Sequence, residues 1–143
     1  MLESPQQVEK EEAQWFIPST LLSRVHAEQR EHGIYHCLWA ETDKPNGTLR
    51  DMTARVSDAL DAEVWGYTTR SATEDWQKAR FLVPLSAPVS GEDFVCMQAL
   101  LNDTLEILAG VTPDRANERA GQLCYLPNRG DFYDAIRCKG ARL

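Results

Sequence analysis

Two carboxylates stand at the end of an apolar segment, where their spacing gives them a common direction. Residues 34–43 read IYHCLWAETD, a run of strand-forming residues that ends in Glu41 and Asp43. Because side chains alternate between the two faces of a strand, residues 41 and 43 point to the same side. Paired carboxylates bind hard divalent cations such as Mg²⁺ and Mn²⁺, which prefer oxygen ligands. The pair also fits an ordinary polar loop after a strand, because residues 43–47 read DKPNG.

The composition is that of an ordinary folded chain with an acidic surface. The 143 residues are enough for one domain with its own core, and 43% of them are hydrophobic. No apolar run reaches the roughly 20 residues that span a bilayer, so no membrane association is predicted. The four cysteines stand far apart without a C-x-x-C pair, which favours a reducing, cytoplasmic compartment over a zinc site. The net charge of −7 argues against a broad basic surface for duplex DNA, but cations can still line one cleft.

Composition and periodicity divide the chain into a tail and one domain. Residues 1–14 are polar and acidic and are predicted to be disordered or loosely packed. A single domain then covers residues 15–143. Its periodic segments predict helices at 21–32, 48–61 and 91–109 and strands at 34–43, 63–69, 79–85 and 122–126.

Two capping boxes mark where the longer helices begin. Thr48 and Ser90 each precede an aspartate by three residues, the spacing at which a side-chain oxygen accepts a free helical N–H. From residue 34 onward the order is strand, helix, strand, strand, helix, strand, which predicts an α+β fold. This is the order of the ferredoxin-like (RRM-like) split βαβ arrangement, an antiparallel sheet with two helices on one face. In that topology the strand at 34–43 is central and lies beside the strand at 79–85.

Five short motifs follow one another along residues 15–133. They are WAETD at 39–43, YTTRS at 67–71, RFLVPLSAPV at 80–89, Asp114, and YLP at 125–127. In this order they resemble the archaeo-eukaryotic primase superfamily, and most closely the primase-polymerase modules of phage and plasmid replication proteins.

The resemblance implies a metal-dependent nucleotidyltransferase, a DNA primase or polymerase module acting in phage or plasmid DNA replication. Its partners would be a nucleoside triphosphate and single-stranded DNA, with a replication protein as a further partner. Its cofactor would be Mg²⁺ or Mn²⁺, because two such ions activate the attacking hydroxyl and stabilise the leaving pyrophosphate. The residues that would carry these roles are Glu41, Asp43 and Asp114 as catalytic metal ligands, and Arg70, Ser71 and Arg80 as nucleotide-binding groups.

Departures from the family pattern keep a second interpretation open. The first acid is Glu41 where the family has an aspartate, and the second motif lacks its histidine, with Ala72 at that position. The alternative is a catalytically degenerate module that binds single-stranded nucleic acid or a protein partner. An accessory replication factor or a phage-encoded inhibitor would act in this way. Trp39, Tyr67 or Phe81 would then offer stacking surfaces on the sheet.

Overall fold

The computed structural model describes residues 1–143, which form an α+β fold with three helices and two antiparallel sheets. None of the helices is both long and apolar enough to cross a membrane. The helices are α1 (His26–His32), α2 (Leu49–Leu60) and α3 (Gly91–Thr104), and α3 continues as a π-helical turn over Leu105–Ala109. The strands are β1 (Trp15–Phe16), β2 (Ile34–Thr42), β3 (Val64–Thr68), β4 (Ala79–Ser90), β5 (Cys124–Tyr125) and β6 (Ala135–Cys138).

The two predicted capping boxes are present and set the start of α2 and α3. The Asp51 N–H donates to Thr48 Oγ1 at 3.1 Å, and the Asp93 N–H donates to Ser90 Oγ at 3.2 Å. Each helix therefore begins directly after its capping residue, as the sequence pattern predicted. At the other end of α3 the π-helical turn changes the helical period. Leu108, which simple helical spacing places on the apolar stripe, is consequently 68% exposed.

The first helix is shorter than the predicted span of 21–32. It begins at His26, because the buried side chain of Gln29 holds residues 21–25 in an irregular conformation. Gln29 Nε2 donates to the carbonyls of Leu21 and Ser23 at 2.8 and 2.7 Å. These bonds give the polar side chain its partners inside the fold and keep the chain before α1 irregular.

The four-stranded sheet has the order β2-β4-β3-β6, so β2 lies at an edge. The prediction that this strand is central is therefore wrong. The predicted strand at 122–126 is present as β5, which pairs with β1 in the two-stranded sheet and not with the main sheet. The other edge belongs to β6, which pairs with β3 and was not predicted from the sequence. β6 has only four residues, none of them buried, so its apolar pattern is weak.

Side-chain and backbone groups from elsewhere in the chain cover the free edge of β2. Gln98 accepts the Trp39 N–H at 3.1 Å and donates to the Trp39 carbonyl at 3.0 Å. Asn117 Nδ2 donates to the same carbonyl at 2.7 Å, and the Asp114 N–H donates to the Glu41 carbonyl at 2.7 Å. An unpaired strand edge leaves backbone polar groups without partners. Here Gln98, Asn117 and Asp114 supply those partners in place of a further strand.

Helix α2 packs on one face of the sheet at Gly66 of β3. Gly66 lies opposite Phe81 in the strand register, so both positions face the helix. A Cβ atom at residue 66 would overlap Thr53 Oγ1, whose hydroxyl donates to the Leu49 carbonyl at 2.7 Å. The absence of a side chain at residue 66 therefore allows helix and sheet to approach closely.

The opposite face of the sheet is covered by β5 of the small sheet. Glu41, Arg80 and Tyr67 lie side by side on β2, β4 and β3 and share this face. The Tyr67 hydroxyl donates to the Tyr125 carbonyl of β5. With a helix on one side and the small sheet on the other, the main sheet has little open surface.

This covering contradicts the idea of stacking surfaces on the sheet. Trp39 is 3% exposed, and Tyr67 and Phe81 are not exposed at all. The prediction that these aromatic residues stack on nucleic acid is therefore wrong. They are core residues, as aromatic side chains on covered strands usually are.

Candidate functional site

A polar cavity of about 610 Å³ opens beside the end of β2. Its volume lies in the range of small-molecule sites. All six residues nominated from the sequence line it: Glu41, Asp43, Arg70, Ser71, Arg80 and Asp114. They come from the end of β2, the turn after β3, the start of β4 and the loop after α3. Other charged residues of the lining, Lys10 and Lys78, were not nominated.

Glu41 and Arg80 form an ion pair on the cavity wall. They stand opposite each other on β2 and β4, and Arg80 Nε lies 3.1 Å from Glu41 Oε2. Their side chains are only 21% and 11% exposed. Burial lowers the pKa of Arg80, whereas the nearby Glu41 and Tyr67 raise it, and the net shift is upward. Because Arg80 neutralises Glu41, it also relieves repulsion between Glu41 and Asp43.

Pairing between two loops brings Asp43 and Asp114 to the same cavity. Lys44 and Thr112 form an antiparallel bridge, so the loop after α3 runs along the end of β2. The Asp114 N–H completes this pairing by donating to the Glu41 carbonyl at 2.7 Å. Backbone hydrogen bonds, rather than side-chain packing, therefore fix the third acid beside the first two.

The three carboxylates differ in how many of their oxygens already have a partner within the protein. One oxygen of Glu41 is paired with Arg80, and Asp114 Oδ1 accepts the Ala116 N–H at 3.0 Å. Asp43 is exposed and forms no ion pair in the chain. Asp43 is therefore the most available ligand, and Glu41 and Asp114 each keep one oxygen.

This set of donors fits a cation that arrives together with an anionic ligand. Carboxylate oxygens are the donors that Mg²⁺ and Mn²⁺ prefer. No three His, Cys, Asp or Glu side chains of the chain converge closely enough to hold a metal ion by themselves. Mg²⁺ commonly binds through one or two carboxylates and completes its coordination with water and substrate phosphates. The residues present suit that mode rather than a site for a free ion.

Four cationic side chains line the cavity, and only two of them lack a carboxylate partner. Arg80 is paired with Glu41. Arg70 Nη2 lies 3.0 Å from Glu9 Oε1, so the second nominated arginine is also occupied. Lys10 and Lys78 take part in none of the ion pairs of the chain. The two lysines that the sequence did not nominate are thus the cations that remain free for a ligand.

The turn after β3 places Ser71 at the cavity and Ala72 in the core. Ser71 is exposed, whereas Ala72 is 1% exposed and its N–H donates to the Thr69 carbonyl at 3.1 Å. A histidine at residue 72 would therefore have no space without a shift of the turn. Thr69 also lines the cavity, and its buried Oγ1 has no hydrogen-bond partner. Such atoms are rare, and a water or ligand often completes their bonding.

Tyr125 supplies an aromatic ring to the cavity wall. The Arg80 guanidinium carbon lies 5.5 Å from the ring centre and Lys10 Nζ lies 5.7 Å from it. Both distances are within the range of cation–π interactions. The sequence identified Tyr125 only as part of a motif. It gave no signal for Lys10, which stands in a polar segment predicted to be loosely packed.

Comparisons with known proteins identify no relative, so the function is inferred from the geometry of the cavity. No protein-family model, no curated protein and no solved structure matches the chain.

Proposed function

We propose that the chain is a metal-dependent nucleotidyltransferase, a primase-polymerase module acting in phage or plasmid DNA replication. The observation that carries the proposal is the shared cavity of the six nominated residues. Residues 41 and 114 are far apart in the sequence and were nominated by separate motifs. A chance match of short motifs gives no reason for such residues to line one cavity.

The side chains of the cavity suit a nucleoside triphosphate and a divalent cation. Asp43, with the remaining oxygens of Glu41 and Asp114, would hold Mg²⁺ or Mn²⁺. The bound cation would neutralise phosphate charge and favour ionisation of the attacking 3′-hydroxyl. Arg80 is fixed by Glu41, and its remaining N–H groups, one of which lies 3.5 Å from the Tyr125 carbonyl, would bind a phosphate. Ser71 would add a hydroxyl donor at the same wall.

The proposal includes the finer fold assignment. We regard the fold as a variant of the ferredoxin-like split βαβ arrangement, acting in the cytoplasm. Support for the fold comes from the order of strands and helices between β2 and β5. In this variant the last strand of the motif pairs with β1, and the loop after α3 covers the edge that it leaves.

A second candidate function is favoured by one observation. Glu41 is held by Arg80, and no three potential ligands converge on a metal position. A catalytically degenerate module would bind the nucleotide without transferring it and would act through single-stranded DNA or a replication protein. In both candidates the cavity binds a nucleotide, but only the nucleotidyltransferase transfers it to a primer.

Primer extension with Mn²⁺ on a single-stranded DNA template tests the proposal. We expect extension by the wild type and its loss in Asp43→Asn, which keeps the size of the side chain and removes its charge. Asp58→Asn is the matched control, because Asp58 is exposed on α2 and lies outside the cavity. Nucleotide binding without extension would favour the degenerate module. If the wild type neither binds the nucleotide nor extends the primer, both candidate functions are overturned.

A further inference from the structure

The N-terminal segment 6–13 forms one wall of the cavity and is held there by its backbone. Asn128, which is 6% exposed, accepts the Val8 N–H at 3.0 Å and donates to the Val8 carbonyl at 2.9 Å. Arg70 Nε donates to the same carbonyl at 2.9 Å. Ala13, at the end of the segment, is buried and lines the cavity. The position of the segment therefore depends on specific hydrogen bonds to two other cavity residues.

This anchoring turns Lys10 away from the acids beside it. Glu9, Glu11 and Glu12 surround Lys10 in the sequence, yet Lys10 forms no ion pair with any of them. Its ammonium lies at the cavity, 5.7 Å from the centre of the Tyr125 ring. A cation–π contact leaves the N–H groups of the ammonium available to an anion. Lys10 is thus a free cation presented to the cavity by an anchored segment.

Lys78 presents a second free cation from the position directly before β4. Its carbonyl accepts the Thr69 N–H at 2.9 Å, which fixes its backbone at the cavity wall. Lys78 also forms no ion pair, whereas Arg70 and Arg80 are both paired with glutamates. An anionic ligand would meet the two lysines without first breaking an ion pair of the protein.

We propose that Lys10 and Lys78 bind the phosphates of the ligand and that segment 6–13 is part of the binding site. The inference rests on the proposed function, since both place a phosphate ligand in this cavity. It adds two contact residues and makes Asn128 a positioning residue, because Asn128 holds the segment that carries Lys10. It also predicts that binding of a phosphate chain does not require a nucleoside.

Calorimetric titration with inorganic triphosphate tests the inference on the full chain. We expect Lys10→Gln and Lys78→Gln each to weaken binding about tenfold, the effect of losing one charge-assisted hydrogen bond. Lys139→Gln is the matched control, because Lys139 is exposed, lies outside the cavity and loses the same charge. Its affinity should stay within about twofold of wild type. Thermal unfolding of each variant checks that the fold is intact.

The role of Asn128 is tested by a double-mutant cycle. Asn128→Ala should weaken triphosphate binding, and adding Lys10→Gln to it should cost little more, because both changes remove the same contact. Full additivity of the two effects would overturn the positioning role. If Asn128→Ala does not fold, Val8→Pro removes one of the two hydrogen bonds between residue 8 and Asn128 and should give the same pattern.

The outcomes separate this inference from the proposed function. Wild-type affinity in Lys10→Gln, or an equal loss in Lys139→Gln, would overturn the inference, even if primer extension were observed. Triphosphate binding that depends on Lys10, without any primer extension, would support the inference and contradict the nucleotidyltransferase. Absence of triphosphate binding in the wild type would overturn the inference directly.

Discussion

The two faces of the four-stranded sheet differ in what their side chains do. On the helix-covered face, Gly66 and Phe81 allow close apolar packing against α2. On the other face, Glu41 and Arg80 form an ion pair beside a polar cavity. Because neighbouring residues of a strand point to opposite faces, one strand serves both purposes. We infer that changes on the helix-covered face alter stability alone, whereas changes on the cavity face alter ligand binding as well.

Replacing Arg80 should have the largest effect, because it leaves Glu41 partly buried without a partner. We expect Arg80→Met to lower the free energy of unfolding by about 3 kcal/mol and to abolish triphosphate binding. Urea denaturation and calorimetry measure the two effects. Adding Glu41→Gln should restore much of the stability but none of the binding. Unchanged stability in Arg80→Met would show that the ion pair contributes nothing to the fold.

Replacing Gly66 should give the next largest effect and leave the cavity intact. The added methyl group of Gly66→Ala overlaps Thr53 Oγ1, so we expect a loss of about 1–3 kcal/mol. Triphosphate affinity at a temperature where the variant is folded should equal that of wild type. Adding Thr53→Ala should recover part of the stability by removing the overlapping group. A change in affinity without a change in stability would contradict the division between the faces.

Alkaline pH should act where β5 covers the sheet, because the Cys124 sulfur of β5 is buried 3.8 Å from the Tyr67 hydroxyl. Burial raises the pKa of the Cys124 thiol from its ordinary value of 9.0 to about 12. The folded state therefore holds this proton more tightly than the unfolded state does. Stability from this group is complete below pH 9 and falls by about 1.4 kcal/mol per pH unit between pH 9 and 12.

Denaturation at several alkaline pH values, with a reductant present, measures this slope. Cys124→Ala should make the slope shallower without removing it, because burial also raises the pKa of the Cys37 thiol to about 12. Cys96→Ala, which changes an exposed thiol, should keep the slope. An identical slope in the wild type and in Cys124→Ala would contradict the assignment.

Replacing Glu9 should have the smallest effect on stability. The side chain of Glu9 is 72% exposed, so its ion pair with Arg70 contributes little. We expect Glu9→Gln to change stability by less than about 0.5 kcal/mol. Binding of triphosphate should tighten, because Arg70 is released toward the cavity. Weaker binding would show that the pair with Glu9 positions Arg70 for the ligand.

Local patterns in the sequence predicted the helices and strands better than they predicted which strands pair. Thr48 and Ser90 marked the starts of α2 and α3, and the two acids at the end of β2, Glu41 and Asp43, line the same cavity. Such features depend on neighbours within a few residues. The pairing of 122–126 with β1 depends instead on packing between distant segments, which local periodicity does not encode.

The sequence nominated cavity residues by their side-chain type and missed a cavity residue whose position depends on distant backbone hydrogen bonds. The six nominated residues share a cavity, as expected of one site. Lys10 was missed because its direction is set by hydrogen bonds between Val8 and Asn128, residues 120 positions apart. The pairing of Arg70 with Glu9 likewise depends on the position of that segment.

We expect the cavity to bind the phosphates of a nucleotide together with a divalent cation. Calorimetric titration of a deoxynucleoside triphosphate, with and without Mg²⁺, measures this binding. The affinity should fall at least about tenfold when Mg²⁺ is removed, and similarly in Asp43→Asn but not in Asp58→Asn. No binding to the wild type, or an affinity that neither Mg²⁺ removal nor Asp43→Asn changes, would overturn the proposed function.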